Sequence, residues 1–96
     1  MPLHWVAYRR SNLLAGAVII EAPSPDQART RAALLWDDPL LEFAEAHALS
    51  DWEACLVTKR NRGRLLSLSD TYYLTMRFEQ AQQRLNRDRL QRFPKE

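Results

Sequence analysis

Apolar and polar positions along this chain change period several times, and each change marks an element. Leu3 to Arg10 is rich in Trp, Val and Tyr and reads as a strand. Ser11-Asn12 opens a turn-like stretch that Gly16 closes. Ala17 to Ala22 then forms a second strand, in which Val18, Ile19 and Ile20 make a run apolar on both faces, the mark of an interior strand. The simplest arrangement of the two is an antiparallel hairpin.

A helix start follows at Ser24-Pro25-Asp26-Gln27. Ser24 can cap, Pro25 suits the first helical position, Asp26 complements the helix dipole and Gln27 completes a capping box. Ala28, Ala32, Leu35 and Trp36 recur at helical spacing and are expected to face the sheet. Asp37-Asp38-Pro39 stops the helix, because a residue before proline avoids the α region.

Leu40 to Leu49 supports two readings. Pro39 behind Asp38, with an Ala-rich run carrying Leu40, Phe43, Ala44 and Ala48, favours a helix on local propensity. Alternation of Leu41, Phe43, Glu45 and His47 with Glu42, Ala44 and Ala46 allows a third strand, which tertiary pairing could impose. Trp52 to Thr58 fits either a strand or a short helix opened by Ser50-Asp51.

Lys59 to Arg64 reads as a basic loop around Gly63, after which Ser67 or Ser69 caps a last helix running to about Arg92. Leu74, Phe78, Ala81 and Leu85 make one stripe spaced 4, 3, 4. The turns beyond carry Asp88 and Arg92 at that angle, so burial is expected to stop near Leu85. Residues 86–96 then form a projecting or frayed helical tail.

These elements predict an α+β fold in one domain spanning residues 1–96. An N-terminal antiparallel β-hairpin packs against a capped helix, with a short third element and a long C-terminal helix. A chain of 96 residues can bury a modest core, and 46% apolar residues with three Trp argue for a folded globule. Small domains are marginally stable, and dimerisation is a common remedy. The single cysteine, Cys55, suits a reducing compartment and is expected to be a buried small hydrophobe. No signal peptide is expected at Met1 to Arg10, and the longest apolar run, Leu13 to Ile20, is far short of the roughly 20 residues of a membrane helix. The expected setting is the cytoplasm, with no membrane partner.

Charge is sorted by position. Residues 32–58 hold six carboxylates (Asp37, Asp38, Glu42, Glu45, Asp51, Glu53) and no Lys or Arg, whereas residues 59–96 hold ten basic residues against four acidic ones. Such a chain either folds one block against the other or offers one to a charged partner. The acidic block is read as a solvated face.

Candidate chemistry is sparse. With Gly16 and Gly63 the only glycines, no Gly-rich phosphate loop is possible. A Cys55–His47 pair with Asp51 as orienting group has no spacing that specifies it, and two His with one Cys match no zinc pattern. The expectation is therefore no catalytic residues, no metal and no cofactor. Two surfaces remain. Lys59, Arg60, Arg62 and Arg64, extended by Arg77, Arg84 and Arg87 along one flank of the last helix, could contact nucleic-acid phosphates without reading sequence. No aromatic residues for base stacking interleave the loop, and of Tyr72 and Tyr73 at least one is expected to pack. Tyr72, Met76, Leu90 and Phe93, off the buried stripe, could meet a second copy or a protein partner.

Three stretches together resemble a group of short uncharacterised alphaproteobacterial proteins. They are Glu21-Ala22-Pro23-Ser24 before an Ala-rich helix, Phe43-Ala44-Glu45-Ala46-His47-Ala48-Leu49, and Gly63-Arg64-Leu65-Leu66-Ser67. This chain departs from that group in having Ala46 before the His, where a Gly is usual. The resemblance implies a bacterial cytoplasmic protein and favours a strand over Leu41 to His47. It implies no activity, since the group has none assigned. The sequence thus points to a non-catalytic protein-interaction or regulatory domain, with sequence-independent nucleic-acid binding as the alternative.

Overall fold

The computed structural model describes residues 1–35 and 39–91, with side chains to residue 87. The class is α+β. β1 (Leu3–Arg10) and β2 (Leu13–Glu21) form an antiparallel hairpin, followed by α1 (Pro25–Ala33), β3 (Glu42–Ala48) and α2 (Asp51–Leu56). A 3₁₀ turn at Lys59–Asn61, the two-residue β4 (Leu65–Leu66) and the long α3 (Leu68–Gln91) complete the order. The sheet runs β3-β1-β2-β4, antiparallel throughout.

Strand β1 is central, and its two faces serve two cores. Leu3, Trp5 and Ala7 join Ala17, Ile19, Leu66, Leu74 and Phe78 beneath α3. Val6 and Tyr8 join Val18, Ala22, Ala28 and Ala32 beneath α1. The period of two along the strand sends successive side chains to opposite helices. The neighbouring β2 is likewise buried on both faces, which explains why Val18, Ile19 and Ile20 read as a nearly continuous apolar run.

The hairpin turn is tighter than the sequence suggests. Ser11 and Asn12 both have positive φ (52° and 65°), which closes the turn in two residues and starts β2 at Leu13 rather than Ala17. A register shift between Tyr8 and Arg9 absorbs the extra residue. Gly16 lies in this stretch, and a Cβ there would collide with the Leu66 carbonyl oxygen. β4 thus reaches β2 only because position 16 has no side chain.

Ser24 caps α1 as expected, its Oγ accepting from the Gln27 amide. The helix buries only Ala28 and Ala32; Leu35 is exposed, and Trp36 lies outside the described residues. Two alanines leave no bulk between helix and sheet, so α1 lies close on Val6, Tyr8 and Val18. The Arg29 guanidinium sits 4.1 Å from the Phe43 ring centroid and ties α1 to β3.

Residues 42–48 form a strand, against their local helical propensity. Pairing with β1 imposes it, from His4↔Ala48 to Arg9↔Glu42, with a shift between Ala7 and Tyr8. Residues 51–56 take the helical alternative because Ser50 and Glu53 form a complete capping box. Cys55 on this helix is exposed, contrary to expectation: α2 turns Trp52, Ala54 and Leu56 toward the core and Cys55 outward.

Ser67 caps α3, accepting from the Asp70 amide. The buried stripe is Thr71, Leu74 and Phe78, and it ends earlier than the sequence spacing predicts. Ala81 is half-buried and Leu85 is 44% exposed. The stripe has run out of sheet to lie on. Phe78 is the last buried residue among those described, and the thirteen helical residues after it extend about 20 Å further. The last turns of α3 therefore stand clear of the sheet.

Candidate interaction surfaces

Helical geometry assigns α3 three sides besides its buried one. The outer side carries Met76, 52% exposed, opposite the Leu74–Phe78 stripe. Toward β3 it turns Tyr72, Thr75 and Glu79. On the other flank lie Tyr73, Arg77 and Arg84. Tyr72 and Tyr73 are 56% and 58% exposed, so neither packs, contrary to expectation. Arg77 lies 5.9 Å from the Tyr73 ring centroid and shares a shallow recess with Leu56, Ala81 and Arg84. Arg87, a turn further on, is exposed. The Leu90 side chain and Phe93 lie outside the described residues, so of the four apolar residues singled out on this helix the structure places Tyr72 and Met76.

Between α3 and β3 a groove of about 380 Å³ opens over the sheet. Trp5, Ala7 and Phe78 form its floor, and Glu45, His47, Glu53 and Glu79 its rim. Pairing of Trp5 with His47 and of Ala7 with Glu45 places those two polar side chains on the groove face. Beyond them is the outer edge of β3, on which no described strand pairs.

The basic loop is more ordered than a flexible phosphate-seeking segment. Arg62 bridges to Ile19 of β2 and donates from its guanidinium to the Val57 carbonyl at 3.2 Å. Gly63, with φ 70°, donates its amide to the Ile19 carbonyl at 2.8 Å. Arg64 donates to the Arg60 carbonyl (2.9 Å) and to Asn61 Oδ1 (3.0 Å), and lies 3.8 Å from Asp70. Two of the four loop cations thus hold the turn that delivers β4. Lys59 and Arg60 are exposed.

Two acidic residues and the basic turn lie at opposite edges of the sheet, while Asp51 and Glu53 sit on α2. Glu42 and Glu45 are on β3, while the cationic turn packs against β2 beside β4. Of the ion pairs among the described residues, Arg9–Glu42 (3.6 Å) joins the first block to the acidic one, and Arg64–Asp70 lies within the basic one. Neither joins acidic block to basic block.

His47 lies on β3 while Asp51 and Cys55 lie four residues apart on α2, and all three are exposed. Among the described residues no group of His, Cys, Asp and Glu could hold a metal, and no helix is long and apolar enough to cross a membrane. Sequence reasoning missed the free β3 edge, because it left that segment's state open. It also missed His4, 1% exposed with Nδ1 lacking a hydrogen-bond partner. Its only signal was its place in the alternation of a strand buried on both faces. Comparison with protein-family models, curated proteins and solved structures yields no match.

Proposed function

We propose that this chain is a small non-catalytic protein-interaction domain that self-associates in the bacterial cytoplasm. The observation that carries this reading is the exposure of Tyr72, Tyr73 and Met76 where α3 is still seated on the sheet. Burying a large apolar side chain is worth about 1.5–3 kcal/mol, so an exposed group of three is a ready contact for another protein. The lone Cys55 suits a reducing compartment.

Phosphate contact is the alternative. It keeps Lys59, Arg60, Arg77, Arg84 and Arg87, while Arg62 and Arg64 are engaged in holding the turn. That division of labour favours the protein-interaction reading.

A dilution series of ¹H–¹⁵N spectra, from millimolar to micromolar protein, tests self-association. Cross-peaks of one surface are expected to shift together with concentration. A spectrum unchanged over the whole range would refute it.

A further inference from the structure

We propose that β3 pairs antiparallel with β3 of a second copy, about a two-fold axis at Ala46. This rests on the self-association reading and adds the surface and the register.

Among the described strands the edge is unpaired, and the one device that bends it, the register shift at Ala44, lies two residues from the proposed axis. No described strand covers it, and Glu42–Ala48 contains neither the Pro nor the Lys that commonly blunts an edge strand. Ala44, Glu45, His47 and Ala48 are exposed. The Leu49 amide donates inward to the Leu3 carbonyl at 2.8 Å. Alternation along an antiparallel strand then turns the backbone groups of Ala46 and Ala48 outward.

The sequence selects the register. Ala44-Glu45-Ala46-His47-Ala48 is nearly symmetric about its centre. With the axis at Ala46, that residue faces its own counterpart and Ala44 faces Ala48 of the second copy. Glu45 then faces His47 of the second copy twice, on the groove side. Alanines let the backbones approach, and the two Glu–His pairs are complementary cross-strand neighbours. Moving the axis to Glu45 sets carboxylate against carboxylate, and moving it to His47 sets imidazole against imidazole. Either shift of the axis changes the register by two residues, so the outward backbone groups still pair and the like-charge contacts are what select Ala46. The pairing joins two four-stranded sheets into one and brings the two grooves side by side.

Site-specific crosslinking tests the register. In a Cys55→Ser background, Ala46→Cys places two thiols on the axis, where directly paired residues have Cα atoms about 5.5 Å apart, within disulfide range. Ala48→Cys is the control, since Ala48 faces Ala44 and not itself. Rapid oxidation of the Ala46→Cys variant to a covalent dimer, with slow oxidation of the Ala48→Cys variant, is expected. Equal rates, or no covalent dimer from Ala46→Cys in a protein that still self-associates, would overturn the β3 register and leave the interaction reading standing. A protein monomeric at every concentration would overturn both.

Charge exchange is the second readout. Glu45→Arg is expected to weaken the dimer about tenfold, two cross-strand pairs being reversed at once. Adding His47→Glu is expected to restore it. Equal weakening in single and double variants would also overturn the pairing.

Discussion

Phe78 meets Trp5 edge-on, their ring centroids 6.0 Å apart and their planes at 66°. This contact joins α3 to the central strand, and Trp52 of α2 approaches the same ring at 6.4 Å and 88°. Phe78 is thus the place where sheet, short helix and long helix converge. Phe78→Ala is expected to cost about 3–5 kcal/mol in chemical denaturation. Leu85→Ala, on the same stripe but past the sheet, is expected to cost under about 0.5 kcal/mol. Comparable losses at both sites would mean that the far turns of α3 are also packed.

His4 is the weak point of the α1 side. It shares a face of β1 with Val6 and Tyr8, and its buried Nδ1 has no hydrogen-bond partner. An unsatisfied buried polar group costs about 1–3 kcal/mol, whereas an apolar replacement of similar size carries no such penalty. His4→Leu is therefore expected to raise the unfolding free energy, by about 1 kcal/mol. A loss of stability would show that the imidazole is held by a hydrogen bond.

The loop cations separate by role. Arg62→Ala removes the guanidinium that holds the Val57 carbonyl and is expected to cost about 1–3 kcal/mol. Arg60→Ala, at an exposed position, is expected to stay within about 0.5 kcal/mol. Labelled single- and double-stranded DNA and RNA, titrated at physiological salt, are expected to show no saturation tighter than about 10⁻⁴ M, the weak limit of ordinary non-specific binding. Micromolar binding that falls steeply with salt, and is lost when Lys59, Arg60, Arg62 and Arg64 become Ala, would instead make this a nucleic-acid-binding protein.

Much of the fold is legible in the sequence, and the gaps have physical causes. The Ser24 cap and the Trp, Val and Tyr content of β1 are local signals, so they read correctly. Residues 42–48 are not decided locally: a helical propensity yields to the ladder that β1 offers. The end of the α3 stripe depends on the length of the sheet beneath it, which no periodicity in the helix records. Loop charge was legible, but not that Arg62 and Arg64 would hold nearby backbone and side-chain oxygens. Tyr72 and Met76 were legible as off-stripe positions, and the structure finds both exposed. The β3 edge emerged only with the strand order.

Sedimentation velocity across a wide concentration range tests the central claim most directly. Wild-type protein is expected to rise from its 11.2 kDa monomer mass toward twice that value as concentration increases. Glu45→Arg is expected to remain near the monomer mass at concentrations where wild type has moved. A wild-type protein that sediments as a single 11.2 kDa species throughout would contradict the account.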